Sequence, residues 1–166
     1  MKAFIILIFA LFCGVATSQF PEFEQQYRQR LSGAVNELSK IVVRFDQDAG
    51  EFGLSREDAL TRYVSSGDSF LSLRGKSMSE VINRFEYLSG HQNRLDSAAA
   101  LGRVWIFITE RDPDLTRDTA EIFKPAVPVT VEGVIYAAGG FSLGWILLSL
   151  LLMPFGRSRR ERLAET

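Results

Sequence analysis

One cysteine, Cys13, and one histidine, His91, are all that 166 residues supply of either type. A lone thiol inside an apolar stretch cannot close an intramolecular disulfide, and it excludes structural zinc held by cysteines. No Asn-x-Ser/Thr triplet occurs, so nothing marks an N-glycosylated loop. A surplus of positive charge is also missing: from Phe20 to Val131, 14 Lys and Arg stand against 17 Asp and Glu, without long runs. That balance offers no electrostatic platform for a phosphate backbone and excludes nucleic acid as a partner. P-loop, dinucleotide-binding, nucleophile-elbow and His-Glu-x-x-His sequences are all lacking. No catalytic residue, metal ligand or cofactor is therefore assigned.

What the chain has in abundance is apolar sequence at both ends. From Ala3 to Phe20 no residue is charged. As a helix, that stretch is about 27 Å long, close to the ~30 Å of bilayer hydrocarbon. It reads as a membrane anchor. Lys2 ahead of it and the small residues Ala16-Thr17-Ser18 at its end also fit a cleaved export signal. Lipidation at Cys13 is disfavoured by the bulky Phe12 before it. Gly133–Phe155 is a second uncharged run, closed by Pro154 and Gly156. Beyond it lie Arg157, Arg159, Arg160 and Arg162, which by the positive-inside tendency hold the C-terminus in the cytoplasm. The opposite flank is acidic, with Asp112, Asp114, Asp118, Glu121 and Glu132 against Arg117 and Lys124. The middle of the chain is thus expected on the outer side whether the first segment is retained or removed.

That middle reads as helical, with no strand alternation and no internal repeat. Pro21 suits the first turn of a helix, with Glu22 and Glu24 complementing its dipole. Phe23, Tyr27, Leu31, Ala34, Leu38, Ile41 and Phe45 then draw one apolar stripe. Gly50 and Gly53 end it, and Ser55-Arg56-Glu57-Asp58 resembles a capping box opening a short helix with Leu60, Tyr63 and Val64 inward. Gly67 and Gly75 bracket another short piece. A second long helix is expected from Ser77 to about Arg111, because Met78, Val81, Phe85, Leu88, Gln92, Leu95, Ala99, Gly102 and Ile106 follow heptad spacing. Asp112-Pro113 ends it, and Asp114–Phe123 forms one more short helix. Lys124-Pro125-Ala126-Val127-Pro128 is a stiff connector to Thr130, which caps the final helix. The expected fold is all-α: an extracytoplasmic domain of two long amphipathic helices and shorter ones over 21–131, flanked by membrane segments at 1–20 and 132–155 and a basic tail at 156–166.

Several of these residues carry a resemblance. Ser18-Gln19-Phe20-Pro21-Glu22-Phe23, Gln25-Gln26-Tyr27, Gln29-Arg30-Leu31 and Gly33, with Phe123-x-Pro125-Ala126-Val127-Pro128 and Glu132-Gly133, resemble a family of uncharacterised bacterial membrane proteins known as a domain of unknown function. The resemblance covers nearly the whole chain. It implies a bacterial source, an envelope location and two membrane segments, and it carries no activity with it; the expected location is the inner membrane.

Few side chains stand out chemically. His91, without an evident partner, reads as a solvated residue rather than a proton-transfer group. Asp112, Asp114 and Asp118 gather where oxygen ligands could take a cation, but a cap at Asp114 and loop solvation explain them more simply, since the calcium-loop spacing is absent. Phe23, Tyr27, Phe45 and Phe85 could line a groove, although their spacing suits a core. Ala137, Gly140 and Gly144 form a small-residue face for close helix packing, against either Ala10, Gly14 and Ala16 of the first segment or a second copy. The expected partners are the bilayer and a protein, or the chain itself. Three functions remain open: a non-enzymatic interaction protein, an accessory subunit of a transporter or channel, and a membrane-anchored hydrolase. Neither apolar run contains an ionisable residue of the kind that lines a conducting path.

Overall fold

A computed structural model describes residues 2–125 and 130–153, and the described residues form seven helices and no strand. Arg157, Arg159, Arg160 and Arg162, the Pro154 and Gly156 stop, and Ala126-Val127-Pro128 of the connector lie outside them. The chain divides into two compact units, one of residues up to Gln25 together with those from Phe123 onward, the other Gln26–Ile122.

In the first unit, α1 (Lys2–Ser18), the apolar start of a helical run that continues to Glu51, and α7 (Val131–Leu152) give the chain two helices long and apolar enough to cross a membrane. They pack antiparallel. The Lys2 ammonium donates to the Leu152 carbonyl at 3.3 Å, and the Thr17 hydroxyl donates to the Tyr136 carbonyl at 2.9 Å near the other end. Thr130 caps α7 by accepting the Gly133 N–H at 3.1 Å. Beyond the pair, Phe20 rests on Tyr136 and Phe23 on Phe123, with centroids 5.8 and 5.3 Å apart.

The second unit takes most of α2 (Phe20–Glu51), then α3 (Arg56–Val64), α4 (Ser69–Ser97), α5 (Ala100–Glu110) and α6 (Pro113–Ile122). A Schellman ending stops α2: Gly53 takes φ +67°, its N–H reaches the Gly50 carbonyl, and the Leu54 N–H reaches that of Ala49. Ser55 then caps α3 through the Asp58 N–H, and Asp68 caps α4 through those of Phe70 and Leu71. Its buried apolar residues include Tyr27, Leu31, Val42, Ala59, Ile82, Leu88, Leu95 and Phe107. Burying a large apolar side chain of this kind contributes about 2 kcal/mol.

Five sequence expectations fail here. The long helix from Ser77 to Arg111 is two helices, because Ala98 and Ala99 are extended with ψ of 144° and 164°. Alanine favours helix, but a continuous helix would carry Phe107 away from the core. Turning back at Ala98 lets Phe107 meet Tyr27 edge-on at 5.1 Å and brings Glu110 to Arg94 and Tyr87. At its other end α4 starts at Ser69 rather than Ser77, with Gly75 inside it instead of closing a separate short piece. A Cβ there would lie 2.7 Å from that of Tyr63, so the glycine lets α3 and α4 cross closely. The heptad seam shifts accordingly, and His91 rather than Gln92 is buried between Leu88 and Leu95. In α3 it is Ala59 that is buried, while Tyr63 and Val64 are exposed. Along α2, Ile41 is exposed and Val42 and Ala49 take the inward positions.

Candidate functional site

The second unit contains one fully enclosed polar cluster, assembled from α2, α4 and the start of α6. Tyr27, His91 and Asp112 are 0, 0 and 1 % exposed. The Tyr27 hydroxyl accepts the Asp112 backbone N–H at 2.9 Å and lies 3.0 Å from His91 Nε2. A hydroxyl has one proton, and Nε2 is the acceptor in reach, so the neutral imidazole is assigned its proton on Nδ1. That nitrogen meets no hydrogen-bond partner among the described residues. The Asp112 carboxylate is held by both Arg84 guanidinium nitrogens, one at 2.9 Å, and caps α6 by accepting the Leu115 N–H at 3.0 Å. Pro113 follows as the first helical residue, where its missing N–H costs nothing.

The environment sets the protonation states. Burial pushes the Tyr27 hydroxyl from 10.0 up to about 12, so it stays protonated. Burial also pulls His91 below its usual 6.5, against the raising effect of Glu110, and keeps the ring neutral. For Asp112, burial works upward, but the Arg84 hydrogen bonds and the Leu115 N–H outweigh it and hold the carboxyl below its ordinary range. Acid, base and phenol therefore meet, yet none is open to a substrate. The cluster is a clamp that joins three helices.

Sequence reasoning missed this cluster and misplaced two of its members. His91 is buried rather than solvated, and Asp112 rather than Asp114 is the cap. Signals were present: Leu88, His91 and Leu95 share three-four spacing, and Asp-Pro at a helix start suits a cap followed by the first helical residue. Asp114 and Asp118 lie at the surface, within 3.6 and 3.8 Å of Arg117. Of the four aromatics, Tyr27 joins the core, Phe23 stacks on Phe123, Phe85 is half-buried, and Phe45 stacks on Tyr63.

That Phe45–Tyr63 pair opens the concave surface of this unit. A groove of about 620 Å³ runs between the end of α2, α3 and the first turn of α4, floored by Phe45, Ala49 and Ala59 and edged by Phe52 and Leu71. Asp48 and Arg62 stand at its rim. Phe52 and Leu71 at its edge are 75 and 37 % exposed. This volume lies within the range of ligand pockets, and its lining is more apolar than polar.

In the first unit, the small residues meet across the helix pair. A Cβ on Gly140 would stand 2.8 Å from the Cys13 carbonyl, one on Gly144 2.9 Å from the Cys13 Sγ, and one on Gly14 2.9 Å from the Ala137 carbonyl. Ala10 is completely buried against this face. Ala137, Gly140 and Gly144 thus face α1, and Cys13 is part of the seam. No group of three or more His, Cys, Asp or Glu able to hold a metal occurs among the described residues.

Fold and seam define a class: an all-helical protein with two helices long and apolar enough to span a bilayer, closely paired. The chain belongs to the family described as Protein of unknown function (DUF2937), whose model matches residues 1–161. No curated protein and no solved structure matches it.

Proposed function

We propose that this is an integral protein of a bacterial inner membrane, whose Gln26–Ile122 unit lies on the periplasmic side and binds another protein without catalysing a reaction. The groove between α2, α3 and α4 carries this reading. It is apolar at its floor and charged at its rim, and exposed aromatic and aliphatic side chains surround it. Protein interfaces have the same anatomy, an apolar centre inside a polar edge. The enclosed acid, base and phenol speak against a hydrolase, since a general base must come within hydrogen-bond reach of its substrate. Membrane insertion is supported by the length and composition of α1 and α7, and orientation by the arginines that follow α7 in sequence.

The test places a photo-crosslinking residue at Phe52 in the full chain in intact membranes. A discrete adduct with a protein, absent when the same residue stands at exposed Glu37, is expected. Equal labelling at both sites would end the reading. Reporter fusions after Gly53 and after Thr166 check orientation, with periplasmic and cytoplasmic signals expected respectively.

A further inference from the structure

The outer face of α5 carries large apolar side chains. Leu101, Trp105 and Ile108 are 82, 68 and 56 % exposed. On the helical wheel they join Gly102, Ile106 and Thr109 in one arc without a single charge, opposite the buried Phe107. The charged residues of α5 and its cap, Arg103, Glu110 and Arg111, all fall outside that arc. The groove beside α3, by contrast, keeps Asp48 and Arg62 at its edge. A convex strip of Leu, Ile and Trp, flanked but not interrupted by charge, suits a lipid surface: tryptophan concentrates at the membrane interface, and an amphipathic helix lies there with its apolar face down.

Chain length supports the same occupant. Phe107 packs on Tyr27, which follows the end of the first apolar segment at Phe20 by only seven residues of α2. A tether of seven residues, about 10 Å as helix, keeps Tyr27 and the helix packed on it within covalent reach of the headgroup layer. On its other side α5 is joined to α7 through Arg111 and Asp112, the ten residues of α6, whose last residue Ile122 is itself 58 % exposed, and the eight residues 123–130. We infer that α5 is a membrane-surface helix that rests its Leu101–Trp105–Ile108 face on the lipid headgroup layer. The inference depends on the reading that α1 and α7 both span the bilayer.

The chain offers its own probes, because Trp105 and Trp145 are its only two tryptophans and Trp145 lies in α7. The full chain is reconstituted in phosphatidylcholine and phosphatidylglycerol vesicles as W145F, leaving Trp105, and as W105F, leaving Trp145. Quenching is measured with lipids brominated near the headgroup or deep in the chain, and with aqueous acrylamide. Trp105 is expected to lose most of its emission to shallow bromines, less to deep ones, and to be shielded from acrylamide. Quenching by acrylamide alone would overturn the inference in favour of a free surface. Shielding from both lipid and acrylamide would overturn it in favour of a protein partner or a second copy. Trp145 separates the two readings. If deep bromines quench it while Trp105 ignores lipid, only the α5 inference fails; if they do not, the membrane-spanning reading fails first.

Discussion

The two units of this protein solve helix pairing by opposite means. Between α1 and α7 the side chains are removed: Gly14, Gly140 and Gly144 let backbones approach until a single added Cβ would collide. In the other unit long side chains reach across. Tyr27 meets His91 and Asp112, Arg28 meets Asp96 at 2.5 Å, and Arg56 grips Asp46 through two bonds. The difference fits the proposed placement of the first unit in hydrocarbon and of the second in water. In hydrocarbon, burying leucine gains nothing over lipid, so packing closeness must hold helices together. In water, burial drives association, and the clamp adds specificity because each buried polar group is costly if left alone.

The largest expected effect comes from breaking closeness in the first unit. Gly140→Val puts branched carbon against the Cys13 carbonyl and should force α1 and α7 apart. The reporter is the natural Cys13 thiol, which lies in the seam and should react faster with N-ethylmaleimide in the detergent-solubilised chain once Gly140→Val is added. An unchanged rate would mean that the pair stays closed without the glycine.

Next comes the clamp. Tyr27→Phe strips the partner from the buried Asp112 N–H and from His91 while leaving the ring in place. The cost should be on the order of 3 kcal/mol, from two buried polar groups left unsatisfied. Thermal unfolding of the detergent-solubilised chain, followed by circular dichroism, measures it; an unchanged transition would mean the cluster carries no stability.

A smaller effect should appear with pH. Because burial lowers His91 relative to the unfolded chain, the unfolded state binds the proton first as pH falls. The stability this group confers is complete above about pH 6.5 and drains away as pH drops through the lowered value. His91→Gln should flatten the melting temperature against pH in that window, and a slope identical to that of the unaltered chain would assign the dependence elsewhere. Tyr27 acts at the other extreme: its raised value costs stability between pH 10 and about 12 as the unfolded phenol ionises. The smallest effect is expected at Lys40–Glu37, an ion pair with both side chains more than 70 % exposed. Lys40→Ala should leave the melting temperature unchanged within error.

Local sequence determined a good deal. The all-helical class, the two apolar helices, the ending of α2 at Gly53 and the caps at Ser55 and Thr130 were legible because each depends on residues within a few positions of one another. Composition and length sufficed for the apolar segments, which need no partner to be recognised. Tertiary structure alone decided the rest. It broke a run of alanines at Ala98 to return Phe107 to Tyr27, selected His91 over Gln92 for the interior, and made Asp112 at once a cap and a counter-ion for Arg84. Tyr27 and Asp112 are 85 positions apart in the chain. No periodicity reports a hydrogen bond across that separation, because the preference that creates it belongs to the packed interior and not to any local segment.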